Sequence, residues 1–192
     1  LKEIYELTQK FRQYRKTQNA VFLSFPEVRI KVRDGIVSIN PLPDMDSKEM
    51  ITDCMLMAGQ AAAKFAVDNT IPFPFAVQQR PETVESPQTY AEMFSYRKQL
   101  KPSSVKCSPD IHAGLGLEIY SRVTSPLRRY LDLVAHQQLR AFITNSQPMN
   151  EQELVHRIGL SEAIAGSAVQ LERLSNNHWT LVYLQQNPQW QG

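Results

Sequence analysis

The stretch Tyr120-Ser121-Arg122-Val123-Thr124-Ser125-Pro126-Leu127-Arg128-Arg129-Tyr130-Leu131-Asp132-Leu133-Val134-Ala135-His136 decides how this chain is read. Thr124 or Ser125 suits a helix N-cap, and Pro126 suits the first helical position, where its missing N–H leaves no bond unmade. A helix is therefore predicted to start there. Leu127, Leu131, Val134 and Leu139 recur at helical spacing and predict an apolar face, while Arg128, Asp132, His136 and Arg140 form an ionic line at steps of four. Arg128 and Arg129 would then sit in the first turn, where free N–H groups and the helix dipole already make the end positive. A negative ligand resolves this, and phosphate oxygens match both backbone amides and a guanidinium fork. The competing reading is an Arg128–Asp132 ion pair one turn apart, although arginine N-terminal to the acid is the weaker orientation. Helix-terminus effects of about 0.3–1 kcal/mol do not decide between the two.

Thr124-Ser125-Pro126-Leu127-Arg128-Arg129-Tyr130, with Asp132-Leu133 and His136 after it, resembles the signature of the RNB catalytic domain of ribonuclease II-type exoribonucleases. The segment from His112 to Tyr120 is similar to the one that leads into that signature. The resemblance implies hydrolysis of single-stranded RNA from its 3′ end to nucleoside 5′-monophosphates. It implies Arg128 as the catalytic clamp on the scissile phosphate, a role suited to a permanently charged bidentate donor. Arg129 is expected on a neighbouring phosphate or on an acid. Tyr130 is carried with the RNA-binding set, although Ser125, Tyr130, Asp132 and His136 are also expected to fix the helix end.

Further matches lie outside the signature. Asn19 to Glu27 resembles the segment where the family places an aromatic ring against RNA bases. Phe22 matches that position better than Phe25, and a core strand residue is the competing reading. Asp53-Cys54-Met55-Leu56-Met57-Ala58 looks like the family's acidic-then-apolar helix start, with Asp53 where Glu is usual. Asp53 either holds a basic residue of an RNA channel or is a solvated helix acid. Glu172-Arg173 takes the place of an acid-arginine pair in the last RNB helix, where the acid is associated with turnover. In Phe75 to Pro81 the family's Arg and His are replaced, and no functional residue carries over.

The resemblance spans essentially residues 1–192 but corresponds to the C-terminal part of an RNB domain. The family's magnesium-holding aspartates belong to the earlier part, so magnesium is expected in the complete enzyme and none on this chain alone. Flanking RNA-binding domains are expected to be absent too. The implied partners are single-stranded RNA and the N-terminal half of the same domain, in a monomeric parent enzyme. The alternative is a catalytically inactive RNA-binding or scaffold module of the same ancestry.

The 192 residues are 42% apolar and 21% charged, ordinary for a soluble globular domain. A net charge of +2 does not predict a blanket electrostatic grip on nucleic acid, so any RNA site must be a local channel. Cys54 and Cys107 form no metal or disulfide pattern, which fits a reducing cytoplasm, and no apolar run is long enough for a membrane span. The fold class expected is α+β, mainly helical with a small antiparallel sheet. Ile4, Leu7, Phe11 and Tyr14 predict an amphipathic first helix; its basic residues Lys10, Arg12, Arg15 and Lys16 are assigned to dipole complementation and solubility, with phosphate contact as the other reading. Val28 to Ile39, broken at Asp34-Gly35, predicts a hairpin. Asp44 and Asp46 invite a divalent ion, but Asp46 with Glu49 reads better as a capping box for a helix to about Asn69. Ala58, Ala61, Ala62 and Ala63 mark its packed face. Prolines 72, 74 and 81 predict a loop, Ser86-Pro87 caps a short helix to about Leu100, and Lys101 to Asp110 reads as a surface loop. Gly114 and Gly116 predict a buried strand or bend where another backbone, or a ligand, comes close, with protein packed on protein the preferred reading. Asn150 starts a helix expected to break at Gly159 and Ser161 before a longer one to about Gln186.

Overall fold

The computed structural model describes residues 1–189. Its elements in chain order are α1 (Lys2–Thr17), β1 (Val28–Arg33), β2 (Ile36–Pro41), α2 (Asp46–Asp68), β3 (Phe75–Val77), α3 (Tyr90–Gln99), β4 (Ser104–Lys106), a single 3₁₀ turn (Ala113–Leu115), α4 (Tyr130–Ile143) and α5 (Glu151–Gln186). The class is α+β, mainly helical, with two separate two-stranded antiparallel sheets instead of one. Two compact units emerge: Leu1–Leu23 with Asp46–Ser161, and Ser24–Met45 with Glu162–Gly192.

In the first unit, α2 buries Leu56, Gly59, Ala63 and Ala66, a stripe at steps of three and four. Ala58 and Ala61 face outward, so the packed face is rotated from the alanine cluster expected. Gly59 is what permits close packing, because a Cβ there would overlap the Tyr120 ring and the Ser121 carbonyl oxygen. Ala63 and Ala66 join Ile71, Phe73, Phe75, Val77 and Ala135 in one core cluster; Leu56 joins Ala76, Leu117 and Tyr120 in a second. A third, of Val134, Leu154 and Ile158, fastens α4 to the start of α5.

Four expectations fail here for identifiable reasons. Phe75–Val77 pairs antiparallel with Ser104–Lys106, although both segments read as loops. The prolines flank these three residues without interrupting them, and a strand buried at every position shows no alternation. The first helix buries Thr8 and Arg15, while Ile4, Leu7 and Tyr14 are 47%, 52% and 41% exposed. Ionic contacts seat α1 on α2, and Phe11, partly buried, packs against the apolar cluster that holds Leu56. Helix α3 begins at Tyr90, not after Ser86-Pro87, because Thr89 and Glu92 close a reciprocal capping box. The other capping box is not formed: Asp46 is already helical, and the Glu49 carboxylate pairs with Arg12.

The second unit holds the expected hairpin, with Ile30 opposite Ile39 and Val32 opposite Val37. Asp34 (φ 51°) and Gly35 (φ 76°) make the left-handed pair that a two-residue hairpin turn requires. Gln186 accepts from the Val37 N–H at 3.1 Å and donates to the Gly35 carbonyl at 2.8 Å, tying the hairpin tip to the end of α5. Helix α5 runs unbroken through Gly159 and Ser161. Nothing lies within 4 Å of where a Cβ of Gly159 would be, so that glycine neither bends the helix nor admits a neighbour. At the other glycines, Gly114 and Gly116 lie against Gln78 and against Arg15 and Ala20, protein on protein as expected. Among the described residues no helix is long and apolar enough to cross a membrane.

Candidate functional site

The signature folds differently from the helix its proline suggests. Residues 126–128 form a turn, in which the N–H groups of Arg128 and Arg129 donate to the Ser125 carbonyl at 3.2 and 3.0 Å. The helix begins only at Tyr130, with Arg129 as an extended N-cap residue. Buried Asp132 explains the delay. Its Oδ2 accepts from the Ser125 N–H at 2.8 Å and from Arg129 Nε at 3.1 Å, drawing the preceding turn back against the helix start. His136 Nε2 donates to the Val123 carbonyl at 2.7 Å, a second clasp one turn further in. Asp132 and His136 therefore do fix the helix end.

This arrangement separates the two arginines. Arg129 is compensated by Asp132 and reaches Thr124 Oγ1 at 3.5 Å. Arg128 lies in the turn before the helix, exposed, and its guanidinium makes no hydrogen bond or ion pair among the described residues. The Arg128–Asp132 pair is not formed. Leu127 is fully exposed, so the apolar face of α4 starts at Leu131. The Tyr130 hydroxyl accepts from Arg157 Nη1 at 3.0 Å, and Arg157 is held in turn by Glu153 at 2.7 Å, which links the start of α4 to α5.

A second cluster surrounds Asp53. This carboxylate is wholly buried, which removes the solvated-acid reading. Its Oδ2 accepts from Arg12 Nε at 2.8 Å and its Oδ1 from Arg15 Nη1 at 2.9 Å; Arg15 Nε also donates to the Leu115 carbonyl at 2.7 Å. Hydrogen bonding to Glu49, and then to Asp53, holds the Arg12 pKa up, while burial of Arg15 lowers its own against the pull of Asp53. Arg12 and Arg15, expected to serve dipole complementation and solubility, are counter-ions to Asp53 instead, Arg15 buried and Arg12 partly buried, spaced three apart to straddle one acid on α2. Phe22 is half-exposed and outside any strand, with Arg15 Cζ 5.2 Å and Lys16 Nζ 5.7 Å from its ring centre. It is therefore not a core strand residue. Glu172 is exposed on α5 in the other unit, as Phe25 belongs to that unit, half-buried.

Sequence reasoning overlooked His112. It is buried, its ring meets that of Tyr120 edge-on at 5.9 Å, and Nδ1 has no hydrogen-bond partner among the described residues. Burial, and then the nearby Arg122, push its pKa down to about 4. A depressed histidine contributes stability that is complete above pH 6.5 and is lost as pH falls toward 4, because the unfolded chain takes up a proton that the native one refuses. Urea titrations at pH 7 and pH 4 should differ by on the order of 3 kcal/mol more in the wild type than in His112→Gln. Equal pH slopes in the two proteins would show that the native histidine titrates normally.

No group of three or more His, Cys, Asp or Glu side chains among the described residues is placed to hold a metal ion. Magnesium needs several hard oxygen ligands at near-octahedral geometry, and these residues do not fit it. A small cavity of about 80 Å³ beside Gln18, Arg80 and Glu118 includes none of the residues expected at the site.

The RNB domain family matches residues 1–145. The chain belongs to the RNB family. An uncharacterized ribonuclease of Synechocystis sp. is 34% identical over 197 residues, covering 97% of this chain and 30% of that protein. The chloroplastic/mitochondrial ribonuclease II of Arabidopsis thaliana is 27% identical over 90% of this RNB chain and 23% of its own length. In fold, Dss1 exoribonuclease from Candida glabrata superposes with a TM-score of 0.88 at 22% identity, covering 97% of this chain and 26% of that one. Mycoplasma genitalium RNase R, solved with ribose-methylated single-stranded RNA, gives a TM-score of 0.77 at 23% identity, with coverage of 96% and 36%. This RNB chain thus spans about a third or less of each of these proteins.

Proposed function

We propose that the chain is the C-terminal part of the catalytic domain of a 3′-to-5′ exoribonuclease, which hydrolyses single-stranded RNA to nucleoside 5′-monophosphates. The observation that carries this is the contrast between the adjacent arginines. Asp132 neutralises Arg129 and at the same time locks the turn, so Arg128 presents an uncompensated, bidentate cation on a fixed backbone. When water attacks a phosphodiester, negative charge grows on the non-bridging oxygens, and such a donor stabilises it more in the transition state than in the ground state. Half-exposed Phe22 offers a stacking ring for a base, and Asp53 acts indirectly by holding Arg12 and Arg15. Glu172 is kept as a residue of turnover in the complete protein.

The described residues do not fit magnesium, so its ligands are proposed to come from the N-terminal half of the same domain, in a monomeric enzyme. The metal would supply a nucleophilic water and charge neutralisation there. Cytoplasm is the proposed compartment, consistent with two free cysteines, although the Arabidopsis relative is named for chloroplasts and mitochondria. The lack of a ligand set among the described residues also favours a second reading, an inactive RNA-binding or scaffold module. Labelled single-stranded RNA with magnesium should stay intact with this chain alone and shorten from its 3′ end with the complete protein. Processive cleavage by the chain alone contradicts the proposed ligand placement. RNA binding without cleavage by the complete protein supports the second reading.

A further inference from the structure

Pairing charges across the first unit leaves a remainder. Arg12 is met by Glu49 and Asp53, Arg15 by Asp53, Arg129 by Asp132 and Arg157 by Glu153. Arg128 has no such partner among the described residues, and neither do Arg80, Arg140 or Arg122, the last of which lies just before the signature. Arg122 is exposed, and its side chain makes no hydrogen bond or ion pair among the described residues.

Its backbone, by contrast, is held from three sides. The Tyr120 carbonyl accepts from the Ala76 N–H on β3 at 2.9 Å. Ser121 is fully buried, with Oγ donating to the Pro74 carbonyl at 2.7 Å and its N–H reaching the Gly59 carbonyl on α2 at 3.4 Å. The Val123 carbonyl is clasped by His136 of α4 at 2.7 Å. An arginine pinned in this way at both neighbours has only its side chain left to order when it binds, so less of the interaction is lost to entropy. The same His136 clasp is part of what holds the turn carrying Arg128.

Arg122 bears electrostatically on His112, neutral at physiological pH, and on Tyr120, whose ionisation burial pushes upward, so neither of these supplies it with a counter-charge. Arg15 and Arg129 bear on the same phenol, and Asp132 is the one acid among its influences. Two uncompensated guanidiniums therefore flank one rigid segment, in a chain whose net charge is only +2. A polyanion with regularly spaced charges offers an anion to each of the two guanidiniums.

We propose that Arg122 grips a second backbone phosphate of the same RNA strand whose scissile phosphate Arg128 holds, setting the strand's register. This rests on the reading of Arg128 given above. Arg122 is on this account a binding and register residue for a single strand.

The test is fluorescence anisotropy with a labelled single-stranded RNA across a salt series, for the wild-type chain, Arg122→Gln and Arg122→Lys. Loss of one phosphate contact should reduce the slope of log K against log salt by about 0.7 in Arg122→Gln and weaken binding roughly tenfold at low salt. Arg122→Lys should keep the slope, since the charge remains. RNAs carrying one neutral methylphosphonate linkage at successive positions add the specificity. One position should penalise the wild type but not Arg122→Gln, whereas a general loss of charge would leave every penalty in place. Unchanged slope and unchanged penalties in Arg122→Gln, with Arg128→Ala still lowering the slope, overturn this proposal alone. A wild-type chain that does not bind RNA overturns it together with the reading it rests on.

Discussion

Asp53→Asn should destabilise the chain by roughly 3–5 kcal/mol, lowering its melting temperature by on the order of 10 °C. The carboxylate is wholly buried and accepts from two guanidiniums, and one of these, Arg15, is itself buried. An amide of the same shape keeps one acceptor oxygen but turns its NH₂ donor toward a second donor. Arg15 would be left buried without a counter-charge, the condition in which breaking an internal ion pair is most costly. The damage should reach further than α1, because Arg15 also holds the Leu115 carbonyl next to Gly116, where backbone from two segments meets closely. Thermal unfolding measures it; a loss below about 1 kcal/mol would mean that water reaches Asp53 and screens the pairs.

In the complete enzyme, Arg128→Lys should lose about 10²–10³-fold in kcat while binding RNA within a few-fold of wild type. Lysine keeps the charge that attracts the strand but not the planar fork that matches two phosphate oxygens together. The melting temperature should not move, since the guanidinium has no partner among the described residues and is exposed. That combination separates a catalytic contact from a structural one. Loss of stability in step with activity would point to a structural role, and unchanged turnover would remove Arg128 from the chemistry.

How far the sequence was legible follows from what each feature depends on. The hairpin was readable because Asp34-Gly35 is a local turn signal between two alternating runs, and its register depends on nothing distant. Helix α2 was readable in its extent but not in its buried face, which is set by Gly59 meeting Tyr120 some sixty residues away in sequence. The α1 pattern correctly gave a helix, but of its apolar stripe only Phe11 packs against the core, while Ile4, Leu7 and Tyr14 are exposed. Helical periodicity finds a stripe, and only the acid on α2 decides that the stripe of Arg12 and Arg15 faces inward. At the signature, Ser125-Pro126 has the local chemistry of a helix start, yet the Asp132 carboxylate captures the Ser125 N–H and converts those residues into a turn. The motif therefore pointed to Arg128 by resemblance, while the reason it stands free lies in the Asp132 bridge to Arg129.

The salt dependence of single-stranded RNA binding by this chain, compared between wild type and Arg128→Ala, bears most directly on that free guanidinium. A strand gripped through its backbone predicts binding that weakens as salt rises, with a slope shallower by about 0.7 in the variant. Equal slopes, or no salt-dependent binding by the wild type, would contradict the assignment.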